Sequence, residues 1–233
     1  MRVRFRLKTM SIFLVYLSLF ACANSPRTLD KYLSNWQNIY TYGEVKQSND
    51  ELHLISRANW FLLSTDKYAD FVLEAEVKMP ETNEYSNSGI IFRAQVGEHE
   101  TKGRFAYGYQ AEIDPSKRKW SGGLYEQGTK RQWLHPIHDT RSFPDENFKF
   151  NYSPEWSALK ANAYKHLSWN KYKIQAKGSD IKIWVNDILT THVKDTKLRE
   201  GYIGIQHHGS HNFAKNGDRT NTVRFRNIKI AAI

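Results

Sequence analysis

Phe71-Val72-Leu73-Glu74-Ala75-Glu76-Val77-Lys78 is the stretch that decides the fold. Successive side chains of an extended chain point to opposite faces, so Phe71, Leu73, Ala75 and Val77 share one side and Glu74, Glu76 and Lys78 share the other. One apolar and one charged face describe a half-buried antiparallel strand. Working outward, the same period of two returns at Tyr172-Ile174-Ala176 and at Ile181-Ile183-Val185, with Gly178-Ser179-Asp180 between them as a hairpin turn. Asn186-Asp187 turns the chain again into Ile188–His192, and Val223–Ile230 reads as a last strand. Many short strands punctuated by Gly and Asn predict an all-β protein, a single β-sandwich with no internal domain boundary.

One segment breaks the pattern. From about residue 135 to residue 166 the alternation disappears, and Ser153-Pro154-Glu155 followed by Trp156, Leu159 and Ala163 predicts a short capped helix with proline at its first position. A long excursion between strands is uncommon unless it serves or covers a site.

The chain has 233 residues, 40% hydrophobic and 25% charged, the composition of an ordinary globular protein. Cys22 is its single cysteine, which excludes an internal disulfide framework, a cysteine zinc site and a cysteine-ligated iron–sulfur cluster. Arg2, Arg4, Arg6 and Lys8 precede an apolar run from Met10 to Phe20, which is short for a membrane span and has the layout of a secretory signal. Leu19-Phe20-Ala21-Cys22 resembles the lipobox of bacterial lipoproteins, in which the cysteine is lipidated and becomes the new N-terminus. The expected organisation is a signal peptide over 1–21, a tether over 22–34 and one domain over 35–233, held at the cell envelope through a lipid on Cys22. Loss of 1–21 removes four of the 34 basic residues and none of the 24 acidic ones, lowering the net charge from +10 to +6. With the basic residues scattered and the protein exported, no nucleic-acid partner is expected.

Strand parity sorts the remaining chemistry. Ile91, Arg93 and Gln95 oppose Ile90, Phe92 and Ala94; Gln110, Glu112 and Asp114 oppose Tyr107, Tyr109, Ala111 and Ile113; Gln206 and His208 oppose Ile203, Ile205 and His207. On a curved sheet these polar sets would line a concave groove, with Gly122-Gly123-Leu124-Tyr125 allowing close approach beside it. Solvated strand faces are more often filled with Lys, Glu and Thr. Glu112-Ile113-Asp114 matches half of the Glu-x-Asp-x-x-Glu pattern of sandwich-fold β-glucanases, but Lys117 stands where the third carboxylate is needed. His207 and His208 point oppositely on a strand, so at most one of them faces a groove.

Several segments occur in order and carry a resemblance. They are Phe71–Glu76, Asn87-Ser88-Gly89-Ile90-Ile91-Phe92-Arg93, Gly108-Tyr109-Gln110-Ala111-Glu112-Ile113-Asp114, Gly122-Gly123-Leu124-Tyr125-Glu126, Trp169-Asn170, Gly201–Gly209 and Val223–Ile228. Together they resemble the 3-keto-disaccharide hydrolase domain family over nearly the whole chain from Trp36 to Ile230. The resemblance implies a concanavalin A-like jelly roll with a short helical excursion, and a carbohydrate substrate already oxidised to a ketone at C3. That ketone acidifies the C2 proton and places the glycosidic oxygen β to the carbonyl, so one general base suffices for elimination; water can then add to complete hydrolysis. The site needs the base, a cation for the enolate oxygen and a donor for the leaving oxygen. On this reading Glu112 or His208 is the base and Arg93 stabilises the enolate. Gln110, Gln206, Asp114 and Tyr125 hold the sugar, with Tyr125 also placed to help the departing oxygen. A divalent metal near Glu112 and His208 fits the same chemistry. The rival reading is a non-catalytic carbohydrate-binding envelope protein on the same fold.

Overall fold

The computed structural model describes residues 25–233. Cys22 and the expected signal segment lie outside the described residues. In chain order the first strands are Arg27–Thr28 (β1), Trp36–Asn38 (β2), Glu44–Ser48 (β3), Glu51–Ile55 (β4), Trp60–Tyr68 (β5) and Phe71–Lys78 (β6). There follow Ser88–His99 (β7), Gly103–Ile113 (β8), Leu124–Gln127 (β9), Gln132–His135 (β10) and Phe148–Asn151 (β11). After helix Ala158–Ala161 (α1) come Asn170–Lys177 (β12), Asp180–Val185 (β13), Ile188–Asp195 (β14) and Gly201–His207 (β15). Helix His211–Asn216 (α2) precedes Val223–Ala232 (β16).

The strands form two antiparallel sheets facing each other in a jelly-roll sandwich. One runs β11-β14-β13-β12-β6-β16-β4-β3 with β1 on β16, and the other runs β10-β9-β8-β7-β15-β5-β2. The decisive stretch, β6, lies inside the first sheet between β12 and β16, its residues alternating buried and half-buried along their whole length. Leu73 pairs with Ile174 and Ala75 with Tyr172, so the apolar faces of β6 and β12 fall in register. Against them the second sheet sets Ile90, Phe92, Tyr109, Ala111, Ile113, Ile203 and Ile205, all within one buried cluster. Each large apolar side chain buried this way contributes about 1.5–3 kcal/mol. The hairpin at Gly178 and the turn at Asn186-Asp187 form where expected; all three residues have positive φ, as tight turns between twisted strands require.

Three expectations are corrected. Residues 27–34 of the expected tether are not one: β1 pairs with the last strand, Leu29 is buried, and its carbonyl accepts hydrogen bonds from Trp36 Nε1 and Asn35 Nδ2. The helix of the excursion begins four residues later than predicted and spans only Ala158–Ala161, with Ser157 rather than Ser153 as its cap. The Ser153 amide is spent on Asn151 and the indole of Trp156 on the Lys119 carbonyl, and residues 153–156 stay outside the helix. The excursion is also not free of strands, because β11 pairs with β14 at a sheet edge.

A further correction bears on the site. A bulge in β7 shifts the register between Phe92 and Gln95, and Arg93 there has φ +48°. One extra residue reverses the parity of everything beyond it. Ala94 leaves the core set and joins Ile91, Phe61, Leu63 and Ala106 on the opposite face of the sheet. Arg93 turns inward and is fully buried. Its Nε and Nη2 donate to the Ala69 carbonyl at 2.9 and 2.8 Å, and Nη1 donates to the Gly178 and Leu198 carbonyls at 2.7 and 3.0 Å. Nη2 also reaches Asp70 at 3.1 Å.

Candidate functional site

The outer face of the seven-strand sheet is apolar at one end and polar at the other. Residues directly opposite on paired strands share a face, which aligns Gly204, Ile91, Gln110, Tyr125 and Trp133 in one row. Glu112 lies two residues further along β8 on the same face, and Gln206 two further along β15. A cleft of about 190 Å³ opens over this end. Gln110, Glu112 and Gln206 form its floor, Tyr125 and Trp133 one wall, Tyr85, Asn87 and His208 another, with Arg118 and Arg141 reaching in from loops.

The floor is a chain of amides. Gln206 donates to Asn59 Oδ1 at 2.7 Å, Gln110 Nε2 lies 3.3 Å from Gln206 Oε1, and the same nitrogen donates to Glu112 Oε2 at 2.9 Å. Gly89 makes this possible: a Cβ there would fall 2.5 Å from Gln110 Nε2. Gln110 Oε1 is buried with no protein donor, a free acceptor at the cleft floor.

Glu112 is the one carboxylate among the residues lining the cleft. It is 5% exposed, and burial pushes its carboxyl up to about 7. The nearby Asp114 charge adds to the rise, while the Asn87 amide at 2.8 Å, the Arg118 guanidinium at 3.6 Å and the Gln110 amide oppose it. A base poised near neutral pH is well matched to proton abstraction. The loop after β8 holds it in place through its backbone: the Glu112 amide donates to the Gly123 carbonyl, and its own carbonyl accepts from Gly122 N and the Tyr172 hydroxyl.

Arg118, not Arg93, is the cation that stands beside Glu112. It lies over Trp133 at 4.8 Å and Trp120 at 5.3 Å, and its Nε donates to Asp114 Oδ2 at 2.8 Å. Asp114 therefore does not line the cleft. It is buried behind Arg118, capped by Ser116 N and tied to the Ser121 turn. Gly122 likewise serves packing and not ligand approach: its φ is +85°, and a Cβ would meet Thr190 Oγ1 at 2.5 Å. His208 stands exposed at the rim with its ring centre 5.5 Å from that of Tyr85, the two rings edge to face, whereas His207 points inward to the Asn221 carbonyl at 2.8 Å.

The structure thus brings together Glu112, Gln110, Gln206, Tyr125 and His208, leaves Asp114 one layer behind, and removes Arg93 to the far side of the sheet. For a metal, the donor set fits poorly. Glu112 already carries an amide on each oxygen and a guanidinium beside one of them, and among the described residues no three His, Cys, Asp or Glu side chains gather as a metal cluster. Asn87, Arg118, Trp133 and Arg141 were not anticipated. All four lie in loops or at a bulged strand, where alternation gives no direction.

The 3-keto-alpha-glucoside-1,2-lyase-like domain matches residues 26–231. The chain belongs to that family. This 3-keto-alpha-glucoside-1,2-lyase-like domain begins at the strand β1 rather than after a tether, and its family makes it a carbohydrate-related protein. No curated protein matches it. Among solved structures it is similar to a candidate glycosyl hydrolase from Parabacteroides distasonis ATCC 8503, at 18% identity and TM-score 0.55, covering 90% of this chain and 100% of that one. A Bacillus subtilis protein of unknown function with a galectin-like fold matches at 10% identity and TM-score 0.56, over 89% and 94% of the two chains. The carbohydrate recognition domain of Emp47p matches at 13% identity and TM-score 0.53, over 89% and 95%. At these identities the likeness is one of fold.

Proposed function

We propose that the protein cleaves 3-keto-glycosides by elimination, with Glu112 as the base. The carboxylate takes the C2 proton, and the electron pair of the C2–H bond forms the enolate of the C3 ketone. Collapse of the enolate makes the C1–C2 double bond and expels the glycosidic oxygen, which takes up a proton as it leaves. Addition of water across that double bond would give the hydrolysed sugar. Arg118 faces the developing enolate charge, the free Gln110 Oε1 accepts a sugar hydroxyl, and Tyr125 stands on the wall where a leaving oxygen can be met.

The observation that carries this reading is the single carboxylate of the cleft, buried and titrating near neutrality beside an arginine. A retaining glycosidase needs two facing carboxyls about 5–5.5 Å apart. Here Asp114, the nearby candidate among the described residues, is spent on Arg118. Family membership supports the substrate class. A second reading, sugar binding without turnover, is favoured by the wall of Tyr125 and Trp133 over an amide floor, an arrangement that stacks on a pyranose.

The test pairs a chromogenic 3-keto-glucoside with the unoxidised glucoside, with and without a chelator. Release from the keto substrate alone, insensitive to chelation, is expected. No release from either, with glucoside binding still measurable, would replace this function with the binding one. Export and lipidation at Cys22 remain part of the proposal, supported by the Leu19–Cys22 segment, and metabolic labelling with a palmitate analogue in wild type and Cys22→Ala tests them.

A further inference from the structure

The charges around the cleft do not balance. Arg118 is matched by Asp114 at 2.8 Å and Glu112 at 3.6 Å. Arg141 has no carboxylate within 4 Å among the described residues, yet it lines the same cleft. Its Nε donates to Gln132 Oε1 at 2.8 Å, one terminal nitrogen lies 3.3 Å from the Tyr125 hydroxyl, and the guanidinium stands 5.8 Å from the Tyr125 ring centre. Both partners are neutral, so they orient the guanidinium without spending its charge, and most of its five N–H donors stay available.

The backbone under Arg141 is also fixed. Its carbonyl accepts from Trp133 N at 3.0 Å, its amide donates to the His138 carbonyl, and the flanking Phe143 amide donates to the Arg131 carbonyl at 3.1 Å. Ser142 Oγ accepts from His138 N at 2.8 Å, and Ser142 bridges to Gln132. A cation held this firmly beside a sugar-sized cleft is placed to recognise a charge on the ligand. Tyr125 pairs with Gln110 on the neighbouring strand, so the residue that Arg141 touches stands about one strand spacing, roughly 5 Å, from the column that holds Glu112. A single glycoside spans that distance.

We propose that the cleft selects glycosides bearing an anionic group, a carboxylate or sulfate, and that Arg141 is the residue that binds it. This rests on the sugar-binding cleft of the proposed function but not on its chemistry. A forked guanidinium pairs two N–H donors with two oxygens of either group.

The test uses ligands that cannot undergo elimination: methyl α-glucoside, methyl α-glucuronide and methyl α-glucoside 6-sulfate, titrated calorimetrically into the full chain at 50 mM and 500 mM salt. At least one anionic ligand is expected to bind about tenfold tighter than the neutral one at low salt, with the ratio shrinking at high salt. The carboxylate and sulfate arms decide between the two groups. Arg141→Gln is expected to bring the anionic-to-neutral ratio to about one, and Arg141→Lys to keep part of it, because lysine retains the charge and loses the fork. Arg141 is exposed, and an unchanged melting curve confirms that both variants fold. A ratio near one in the wild type, a ratio preserved in Arg141→Gln, or no binding of any of the three overturns the proposal. Turnover of a neutral 3-keto-glucoside is scored separately, so the two readings fail independently.

Discussion

Glu112 and Arg93 show how differently two polar residues of one sheet can be used. Glu112 is buried beside donors that face an open cleft, whereas Arg93 is buried among carbonyls that close around it. Replacing Glu112 by Gln keeps its size and most of its hydrogen bonds, and a loss of about 10²–10⁴ in kcat on a 3-keto-glucoside is expected with the fold intact. In the wild type kcat/KM should rise as pH passes through about 7, where Glu112 ionises. The same shift has a stability consequence of opposite sense. The folded carboxyl holds its proton up to about 7 while the unfolded one releases it near 4.5, so the folded state binds more protons between those values and stability falls as pH rises across them. Urea unfolding of Glu112→Gln should lack that slope. Arg93→Met should cost about 3 kcal/mol in the same measurement, because three backbone carbonyls and Asp70 lose their donor. A stable Arg93→Met protein without activity would return Arg93 to the chemistry.

At the scale of elements, the bulge in β7 separates what could be read in advance from what could not. Up to Phe92, and throughout β6, β8, β12 and β13, alternation placed side chains on their true faces, because a regular strand allows no other assignment. Gln110, Glu112, Gln206 and His208 were found on one face for that reason. A bulge leaves no mark in the hydrophobic pattern when the residue it inserts is itself polar, so Arg93 was assigned to the wrong side. Arg118 and Arg141 sit in loops whose direction is set by local side-chain contacts of Asp114, Ser121, Gln132 and Ser142, which strand alternation does not encode. Gly89 offers a test at this scale. Gly89→Ala would press a methyl against Gln110 Nε2 and swing the amide off Glu112. Sugar affinity should fall about tenfold or more, with a smaller change in melting temperature than Arg93→Met shows.

Across the whole molecule, the two sheets are joined beside Arg93's carbonyl cage by a second buried polar cluster; Leu198 touches both, its carbonyl accepting from Arg93 and its amide donating to the Tyr109 hydroxyl. Asp195 on β14 accepts from the Tyr109 hydroxyl of β8 and pairs with Arg131, which also meets Glu126 at 3.1 Å; Lys197 reaches the other Glu126 oxygen at 3.0 Å. Asp195 and Glu126 are fully buried, so removing one charge strands the others. Asp195→Asn should cost about 3 kcal/mol in urea unfolding, and an unaltered midpoint would show that the cluster does not hold the sheets together. The proposed elimination needs one base held in position, and the cleft that holds Glu112 lies on a sheet of this sandwich. The most direct test of that chemistry is a competition between a 3-keto-glucoside protiated at C2 and the same compound deuterated there, read as relative kcat/KM for aglycone release. The account predicts a primary isotope effect and no release from the unoxidised glucoside. Equal consumption of the two isotopologues, or release from the unoxidised sugar, would contradict it.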